Sequence, residues 1–410
     1  MSAQLPVFDQ TQYPNDLELK LLQVVHRHGE RTPVRKRLTQ FFPAVWTLCD
    51  ANKAMFATIA QFNKDQVAGL DRVPVKRLVE VETDKKPSVS LESGSCYYGQ
   101  LTNLGRYRMT LLGENIRDVY INRLKFLPDV FDEKSVYLRS TEYVRAQESI
   151  QQMVTVGLYP KEKRLEDFVF KLNIRDPMVD NMFPNPNCYR LRQLSKEFTK
   201  TVSSMLQDRF VELSDKLKKY VDGVSLASHP SANGIMDTLI AAKVHGFKLP
   251  KEFDDETMLA LEDTVVKEWF YGHTQSQEMR RLGLGRLMGT IRDRMIRRAQ
   301  NTDNVIDEDK LKLAVYSGHD TTVAPLLIIL DAFDDRWPPF GSAILFELFK
   351  QKESDQHYVR VKYNENTLKL PGCAKQGNHK EGDESLCTLE AFKSVVKDQV
   401  PQNWEKECKI

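Results

Sequence analysis

The sequence lacks a long apolar segment and carries almost no net charge. Its 410 residues include 59 lysines and arginines and 57 aspartates and glutamates, so the formal net charge at pH 7 is +2. This balance argues against a broad nucleic-acid-binding surface, and any anion-binding site is expected to be local. No stretch approaches the apolar length that a bilayer span requires. The sequence therefore predicts a globular protein without a nucleic-acid partner and without an integral membrane segment.

Recognisable targeting signals are also missing. The chain begins with MSAQLPVF, which lacks the charged start and the apolar core of a signal peptide. No Asn-x-Ser/Thr acceptor occurs, so glycosylation gives no sign of secretion. We expect a cytoplasmic protein if Met1 is the native start, and a secreted or lysosomal protein if a signal peptide has been removed.

Cysteine is scarce, and its pattern leaves the redox compartment open. The six cysteines are Cys49, Cys96, Cys188, Cys373, Cys387 and Cys408. No Cys-x-x-Cys motif indicates zinc, and His229, His245 and His273 occur without a partner at ligand spacing, so we expect no metal and no cofactor. Cys373 and Cys387 bracket a polar loop and could close it as a disulfide. The alternative is six reduced thiols, some of them buried as small hydrophobic residues.

The segment from Val24 to Pro33, VVHRHGERTP, has the pattern of a strand-to-helix turn. It overlaps an apolar run from Leu19 to Val25, which predicts a buried β-strand. Thr32 and Pro33 are typical of an N-cap and of the first residue of a helix, and we expect this helix to cover Val34 to Phe62, with Trp46 and Phe56 toward the core.

This turn carries the groups that bind and attack a phosphoryl group. Arg27 and Arg31 have planar guanidinium groups that match phosphate oxygens, and helix N-terminal amides would point at the same anion. Gly29 leaves room where the backbone must turn tightly or approach a ligand. A histidine among these groups, His26 or His28, can be a nucleophile. The alternative is a basic surface turn, but Arg-His-Gly-x-Arg-x-Pro directly after a strand favours an anion site.

Two later turns repeat the order of apolar strand, polar tip and helix start. Arg139 follows the strand predicted over Ser135 to Leu138, and His319 and Asp320 follow the strand predicted over Leu313 to Tyr316. Thr321 or Thr322 is expected to cap the helix after this last strand. Ligands of open α/β sheets bind outside the carboxyl ends of the strands, so the three turns are expected to converge on one site.

The Arg-His-Gly-x-Arg-x-Pro string and the His-Asp pair in YSGHDTT resemble the two signatures of the histidine acid phosphatases, branch 2 of the histidine phosphatase superfamily. The resemblance extends from about Leu19 to Phe392, and it includes features of the lysophosphatidic acid phosphatase and prostatic-type enzymes. The segments that resemble the lysophosphatidic acid phosphatases are Gly99-Gln100-Leu101-Thr102, Trp337-Pro338-Pro339-Phe340 and Leu386-Cys387.

The resemblance implies a metal-independent phosphoric monoester hydrolase. It implies that His28 is the nucleophile, which forms a phosphohistidine, and that Asp320 protonates the leaving group. The substrate-binding residues that it implies are Arg27, Arg31, Arg139 and His319, with Arg145 as the second choice to Arg139. It also supports the disulfides Cys373–Cys387 and Cys188–Cys408. An acid pH optimum is expected, because Asp320 must hold a proton while clustered positive charge keeps His28 neutral.

The order of predicted elements indicates an α/β fold, with a mostly parallel central sheet flanked by helices and an inserted α-helical cap. Residues 1–159 and 306–410 are expected to form the core, and residues 160–305 the cap. Helical spacing predicts cap helices over Leu194–Val221, Asp254–Tyr271 and Gln275–Gln300. Thr102 is expected to cap a helix that runs to Leu124. The remaining predictions are loops over residues 63–98 and an edge hairpin from Ser342–Lys350 and His357–Tyr363.

Several functions remain open within this fold. The near-neutral charge and the aromatic, Met-rich cap favour a small phosphate monoester, such as a lysophosphatidic acid-like substrate. The alternatives are a phytase, which would need a strongly basic pocket, and a phosphoglycerate-mutase-like transferase. A non-catalytic phosphate-binding protein finds no support, since both His28 and Asp320 are present. We expect a monomer or a homodimer.

Overall fold

The structure is a computed structural model, which describes residues 10–50, 55–75, 80–83, 86–89, 94–300 and 310–409. Its strands are β1 (Leu17–Arg27), β2 (Met55–Asn63), β3 (Gln66–Val75), β4 (Glu80–Thr83), β5 (Lys86–Val89), β6 (Val136–Ser140), β7 (Asn173–Ile174), β8 (Leu313–Gly318), β9 (Ala343–Gln351), β10 (His357–Tyr363), β11 (Asn366–Thr367), β12 (His379–Lys380) and β13 (Asp383–Thr388). Its helices are α1 (Asn103–Ile116), α2 (Val144–Gln152), α3 (Tyr189–Met205), α4 (Gln207–Leu217), α5 (Ala232–Val244), α6 (Asp255–Gln275), α7 (Gln277–Gly283), α8 (Gly285–Gln300), α9 (Asp320–Ile329), α10 (Leu389–Lys397) and α11 (Trp404–Cys408).

The main sheet has the strand order β12-β13-β10-β9-β1-β8-β6-β7, with β11 beside β10. The strands β1, β8, β6 and β7 run parallel, and β9 joins β1 in the antiparallel direction. The predicted α/β fold with a helix-flanked central sheet is therefore confirmed. The predicted hairpin of β9 and β10 is also present, but it lies inside the sheet, because β13 and β12 continue beyond β10.

Strand β1 is buried on both faces, as expected for a strand between two helical layers. Its side chains Leu21 and Val25 belong to the apolar cluster with α8, α9 and α10. Leu22 and Val24 belong to the cluster with α1 and α2 on the opposite face. Predicting this strand from a continuous apolar run was therefore correct, and the run places the following turn at the carboxyl edge of the sheet.

The helices α3 to α7 lie in the chain between β7 and the second part of the core. The helices α5 and α6 share an apolar cluster with the segment 38–49, apart from the two clusters of the sheet. The helix α5 was not predicted. Two elements inside the predicted cap range, β7 and α8, instead join the sheet and its flanking layer.

The predicted helix over Val34–Phe62 is wrong, because residues 34–49 are turns and irregular backbone and Met55–Asn63 is a strand. The polar groups at the expected helix start have other partners. The Thr32 hydroxyl donates to the Tyr97 carbonyl at 2.7 Å, and the Val34 amide donates to Asp237 Oδ2 at 2.9 Å. Trp46 is buried as predicted. The side chain of Phe56, also predicted in the core, lies outside the described residues.

The predicted loops over residues 63–98 are wrong in part, because β2 pairs with β3 and β4 pairs with β5 as hairpins. Most side chains of β3 are exposed, on both faces of the strand. A strand with two solvated faces needs no alternation of apolar and polar residues, which explains the weak periodicity of this region.

The Thr102 cap of α1 is confirmed, since its hydroxyl accepts the Gly105 amide at 3.2 Å. The helix α1 ends at Ile116, and a π-helical segment, Arg117–Arg123, continues it almost to the predicted Leu124. The turn after β1 packs tightly on this helix start. A Cβ at Gly29 would lie 2.5 Å from the Gly105 carbonyl oxygen, so only glycine fits there.

All six cysteines are paired in disulfides. The pairs are Cys49–Cys96, Cys188–Cys408 and Cys373–Cys387. Two of these pairs match the sequence-based expectation, and the alternative of six reduced thiols is wrong. The Cys49–Cys96 pair was not predicted. Among the described residues, no helix combines the length and the apolar character that crossing a membrane requires.

Candidate active site

The carboxyl ends of β1, β8 and β6 lie side by side and bring the three polar turns together. In the register of the sheet, Arg27 is beside Gly318, and Ser140 is beside Ser317. The backbone amide of His28 donates to the Gly318 carbonyl at 3.0 Å. The turns that follow these strands therefore border the same end of the sheet.

His28 is buried, and its hydrogen bonding identifies the reactive nitrogen. Nδ1 lies 2.8 Å from the carbonyl oxygen of Gly29. A carbonyl oxygen only accepts, so Nδ1 carries the proton and Nε2 has the free lone pair. Burial lowers the pKa of His28 well below its ordinary value, and the positive charges of Arg145, Arg27 and Arg31 lower it further. The ring is therefore neutral, as a nucleophile requires.

Arg27 and Arg31 each form an ion pair with a carboxylate. Arg27 Nη2 lies 2.8 Å from Asp320 Oδ2, and Arg31 Nη1 lies 2.7 Å from Asp237 Oδ1. The aromatic ring of Phe340 lies beneath both guanidinium groups, with its centroid 4.2 Å from Cζ of Arg27 and 5.5 Å from Cζ of Arg31. Phe340 thus restricts the position of both cations.

Arg139 is not among the residues that line the cavity beside His28. It is buried, and its Nη2 donates to Asp180 Oδ1 at 2.6 Å and to Asn181 Oδ1 at 2.7 Å. Arg145, the second choice from sequence, does line the cavity, together with His28. Burial lowers the pKa of Arg145 to about 10, so the guanidinium stays charged at acid and neutral pH. The geometry therefore favours Arg145 over Arg139 as a phosphate ligand.

His319 is the residue before α9, and it faces His28. The ring centroids of the two histidines are 5.5 Å apart. His319 Nε2 lies 3.0 Å from Thr141 Oγ1, and the His319 backbone amide donates to Thr322 Oγ1 at 3.0 Å. His319 is therefore the N-cap residue that was predicted at Thr321 or Thr322. Burial, followed by the charge of Arg145, lowers the pKa of His319 to about 3, so this ring is also neutral.

Asp320 begins α9 and combines opposing influences. Burial acts to raise the pKa of its carboxyl group. The positive charges of Arg27 and Arg31 and a hydrogen bond from the Thr321 amide outweigh burial, and the net pKa is below the ordinary value. Without a bound anion, Asp320 is therefore an ionised partner of Arg27.

A cavity of about 670 Å³ is lined by residues of this cluster and by apolar residues. We call the lining residues His28, Arg31, Arg145, His319 and Asp320, together with Arg27, which is not a lining residue but is paired with Asp320, the phosphate end. The other walls come from α3, α6 and the loop that follows Asn181. They include Phe183, Leu191, Phe198, Trp269 and Met279.

Several residues of this site were not found from the sequence. Asp237 on α5 holds Arg31, and it is separated from the motif by about two hundred residues without any local signal. Phe340 stands in a segment that was used only as a family likeness. Within the described ranges, no group of histidine, cysteine, aspartate and glutamate side chains is arranged to hold a metal ion.

The family model described as "Histidine phosphatase superfamily (branch 2)" matches residues 18–364. The chain belongs to this family. A probable acid phosphatase of Schizosaccharomyces pombe is 33% identical to this chain over an alignment of 453 residues. The alignment covers 97% of this chain and 95% of that protein. The present chain is also 26% identical to lysophosphatidic acid phosphatase type 6 of Homo sapiens over 385 residues. The match covers 93% of this chain and 83% of the human protein.

Among solved structures, the apo form of a phytase from Hafnia alvei is similar with a TM-score of 0.62 and 14% sequence identity. The match covers 96% of this chain and 99% of the phytase, and at this identity it shows the shared fold alone. The predicted family is therefore confirmed: the chain is a histidine acid phosphatase, a member of a family that hydrolyses phosphate monoesters.

Proposed function

We propose that this histidine acid phosphatase works in two steps through a phosphohistidine on His28. One observation carries the proposal: the unprotonated Nε2 of His28 shares the end of a cavity with arginine side chains and with Asp320. The arginines bind the phosphoryl group, the histidine attacks it, and the carboxyl group handles the proton. These are the parts that phosphoryl transfer needs when no metal ion takes part.

In the first step, the guanidinium groups of Arg27, Arg31 and Arg145 hold the phosphoryl oxygens, and His319 adds a further donor. Their positive charge stabilises the negative charge that accumulates in the transition state. His28 Nε2 forms a bond to phosphorus as the bond between phosphorus and the ester oxygen breaks. The leaving oxygen takes a proton from Asp320 and departs as an alcohol.

In the second step, water attacks the phosphohistidine. The water proton passes to Asp320, the bond between His28 and phosphorus breaks, and inorganic phosphate leaves. Asp320 is thereby reprotonated for the next cycle. Substrate binding itself helps Asp320 to become an acid, because the phosphate charge offsets Arg27 and Arg31 and so raises the pKa of the carboxyl group.

The walls of the cavity favour a monophosphate with an apolar leaving group. Phe183, Phe198 and Trp269 line them, and the cations away from the phosphate end are Arg192 and Lys196 among the described lining residues. Phytate carries many phosphates and would need more positive charge. A lysophosphatidic acid-like ester, which has one phosphate and an acyl chain, is the substrate that we propose.

The experiment is a panel of lysophosphatidic acid, phytate, phosphotyrosine and a sugar phosphate at pH 5, with phosphate release as the signal. We expect the highest kcat/KM for lysophosphatidic acid. A higher value for phytate would favour the phytase alternative. Transfer to an acceptor without phosphate release would favour a mutase-like transferase. If no ester were turned over, the alternative of a non-catalytic phosphate-binding protein would be favoured.

A further inference from the structure

One carboxyl group of the cavity has no part in the proposed chemistry. Glu268 lies on α6 and lines the same cavity as His28 and Asp320. One helical turn further, Gly272 allows close contact with α3, because a Cβ there would lie 2.9 Å from the ring of Phe198. Glu268 therefore shares the cavity with the aromatic side chains Phe198 and Trp269, which do not belong to the phosphate end.

Glu268 is partly buried and lacks the partners that such a group usually has. Its Oε2 is inaccessible and receives no hydrogen bond from any described residue. The neighbouring Lys267 is paired with Asp263 at 2.7 Å. An inaccessible carboxyl oxygen without a donor is costly, so a site of this kind is explained if a ligand supplies the missing partner.

The protonation of Glu268 decides which ligand fits. The other titratable or charged groups that line the cavity are His28, Arg31, Tyr143, Arg145, Arg192, Lys196, His273, His319 and Asp320. The lining residues from α7 and from the interior of α9, Met279, Thr321 and Pro325, carry no charge. Burial raises the pKa of Glu268 to about 7. At acid pH the carboxyl group is therefore neutral, and it can both donate and accept a hydrogen bond.

We propose that Glu268 recognises a neutral oxygen of the leaving group, either a hydroxyl group or an ester carbonyl. This inference rests on the proposed function and adds a specificity residue to it. A neutral carboxyl group suits such an oxygen in an otherwise aromatic wall, whereas a second phosphate or carboxylate would gain little from it. Substrates whose leaving group is a polyol or an acylated polyol are selected over plain alkyl phosphates.

The test compares glycerol 3-phosphate with propyl phosphate, which has the same carbon chain without the hydroxyl groups. In the wild-type enzyme at pH 5, kcat/KM is expected to be about tenfold higher for glycerol 3-phosphate, the size of one or two hydrogen bonds. Glu268→Leu should remove this preference. Glu268→Gln should keep most of it, because an amide also donates and accepts.

A matched control is Glu256→Leu, on the same helix but with a side chain that is 86% exposed. It should leave the ratio of the two kcat/KM values unchanged. An unaltered ratio in Glu268→Leu would overturn the inference, and so would a ratio lost equally in Glu268→Gln, which would indicate that the hydroxyl groups are recognised by an ionised carboxylate and not by a neutral carboxyl group. If Glu268→Leu does not fold, Glu268→Met serves the same comparison. Failure of the wild-type enzyme to hydrolyse either ester would instead refute the proposed function.

Discussion

Two clusters of buried charge in this molecule differ in how their charged groups are partnered. The first is the phosphate end, where Arg27, Arg31 and Arg145 surround the neutral His28, and where Asp320 and Asp237 form ion pairs with Arg27 and Arg31. The second lies on the antiparallel side of the sheet. There Glu347 Oε2 accepts from Arg360 Nε at 2.7 Å, and Glu347 Oε1 accepts from the hydroxyls of Tyr13 and Tyr120 at 2.8 Å each.

In the second cluster, both oxygens of the Glu347 carboxylate are hydrogen-bonded within the protein, beside the two cations Arg360 and Lys362. The phosphate end borders the cavity and has three arginines for two carboxylates, and its positive charge adds to burial in lowering the pKa values of His28 and His319. A buried carboxylate that is fully hydrogen-bonded inside the protein supports the fold, whereas excess positive charge at a cavity is suited to bind an anion. This contrast predicts that substitutions in one cluster change catalysis and that substitutions in the other change stability.

The largest effect is expected from His28→Ala, because it removes the atom that accepts the phosphoryl group. Turnover should fall by roughly 10⁴-fold or more, and acid-labile labelling with a radioactive phosphate ester should vanish. The matched control is His26→Asn on the same strand, where a buried ring bonds the backbone of Arg27 at 3.0 Å. This variant should still be labelled. Labelling that survived in His28→Ala and disappeared in His26→Asn would assign the nucleophile to His26.

Asp320→Asn keeps the size of the side chain but removes its proton. Alkyl phosphates should then lose about 10² to 10⁴ in kcat/KM, since an alkoxide is a poor leaving group without an acid. Aryl phosphates with acidic phenols should be affected much less in the labelling step, and phosphoenzyme could accumulate. Rapid-quench kinetics on the two classes measure the difference. Equal losses for both classes would mean that Asp320 binds substrate but is not the acid.

Glu347→Gln tests the second cluster, and we expect it to change the stability of the fold. Burial acts to raise the pKa of Glu347, but the charges of Arg360 and Lys362 outweigh it and lower the pKa to about 2. A depressed pKa stabilises the folded state above the unfolded value of about 4.3, and this contribution is lost as the pH falls toward 2. Removing the charge should cost about 3–5 kcal/mol at pH 7, measured by urea unfolding.

The control for that measurement is Glu133→Gln, which changes an exposed ion pair with Lys171. It should shift the unfolding free energy by less than about 1 kcal/mol. The wild-type protein should lose stability between about pH 4.3 and pH 2, while Glu347→Gln should lose less over the same range. Equal pH dependence in both proteins would show that Glu347 is not the group responsible.

The smallest effect that we predict separates Arg145 from Arg139. Arg145→Ala should lower kcat/KM by about 10² for alkyl and aryl phosphates alike, because both carry the same phosphate charge. It should also weaken competitive inhibition by inorganic phosphate. Arg139→Ala should mainly lower thermal stability, since it leaves Asp180 buried without its partner. If Arg139→Ala changed the inhibition constant of inorganic phosphate more than Arg145→Ala did, the original assignment of Arg139 as the phosphate ligand would be restored.

The residues that the sequence predicted best are contiguous or lie at strand ends. His28 and Asp320 each follow an apolar strand, so the parallel sheet alone brings them together. Arg139, near the end of β6, and Arg145, near the start of α2, could not be separated in this way. They are six positions apart, and which one faces the cavity depends on the side of the sheet that Arg139 takes and on the entry angle of α2, neither of which the local pattern contains.

The cap side of the site was hardest to predict, for a different physical reason. Asp237 and Glu268 stand on helices whose sequence contains no motif, and their roles arise from packing against distant segments. The exposed hairpin of β2 and β3 was missed because solvent on both faces removes the periodic signal of a strand. Predicted core positions such as Trp46 were found, since burial needs only an apolar side chain.

The Cys188–Cys408 disulfide joins the first residue before α3 to the end of α11, so it closes a covalent ring across a sequence separation of 220 residues. The ring contains the cap helices, His319 and Asp320, whereas His28 lies outside it. A single proteolytic cut within the ring therefore leaves the cap helices covalently linked to α9, the helix that carries Asp320. These two parts would come apart only after a second cut within the ring or after reduction of the disulfide, so a protein that is cut once and kept oxidised retains its complete site.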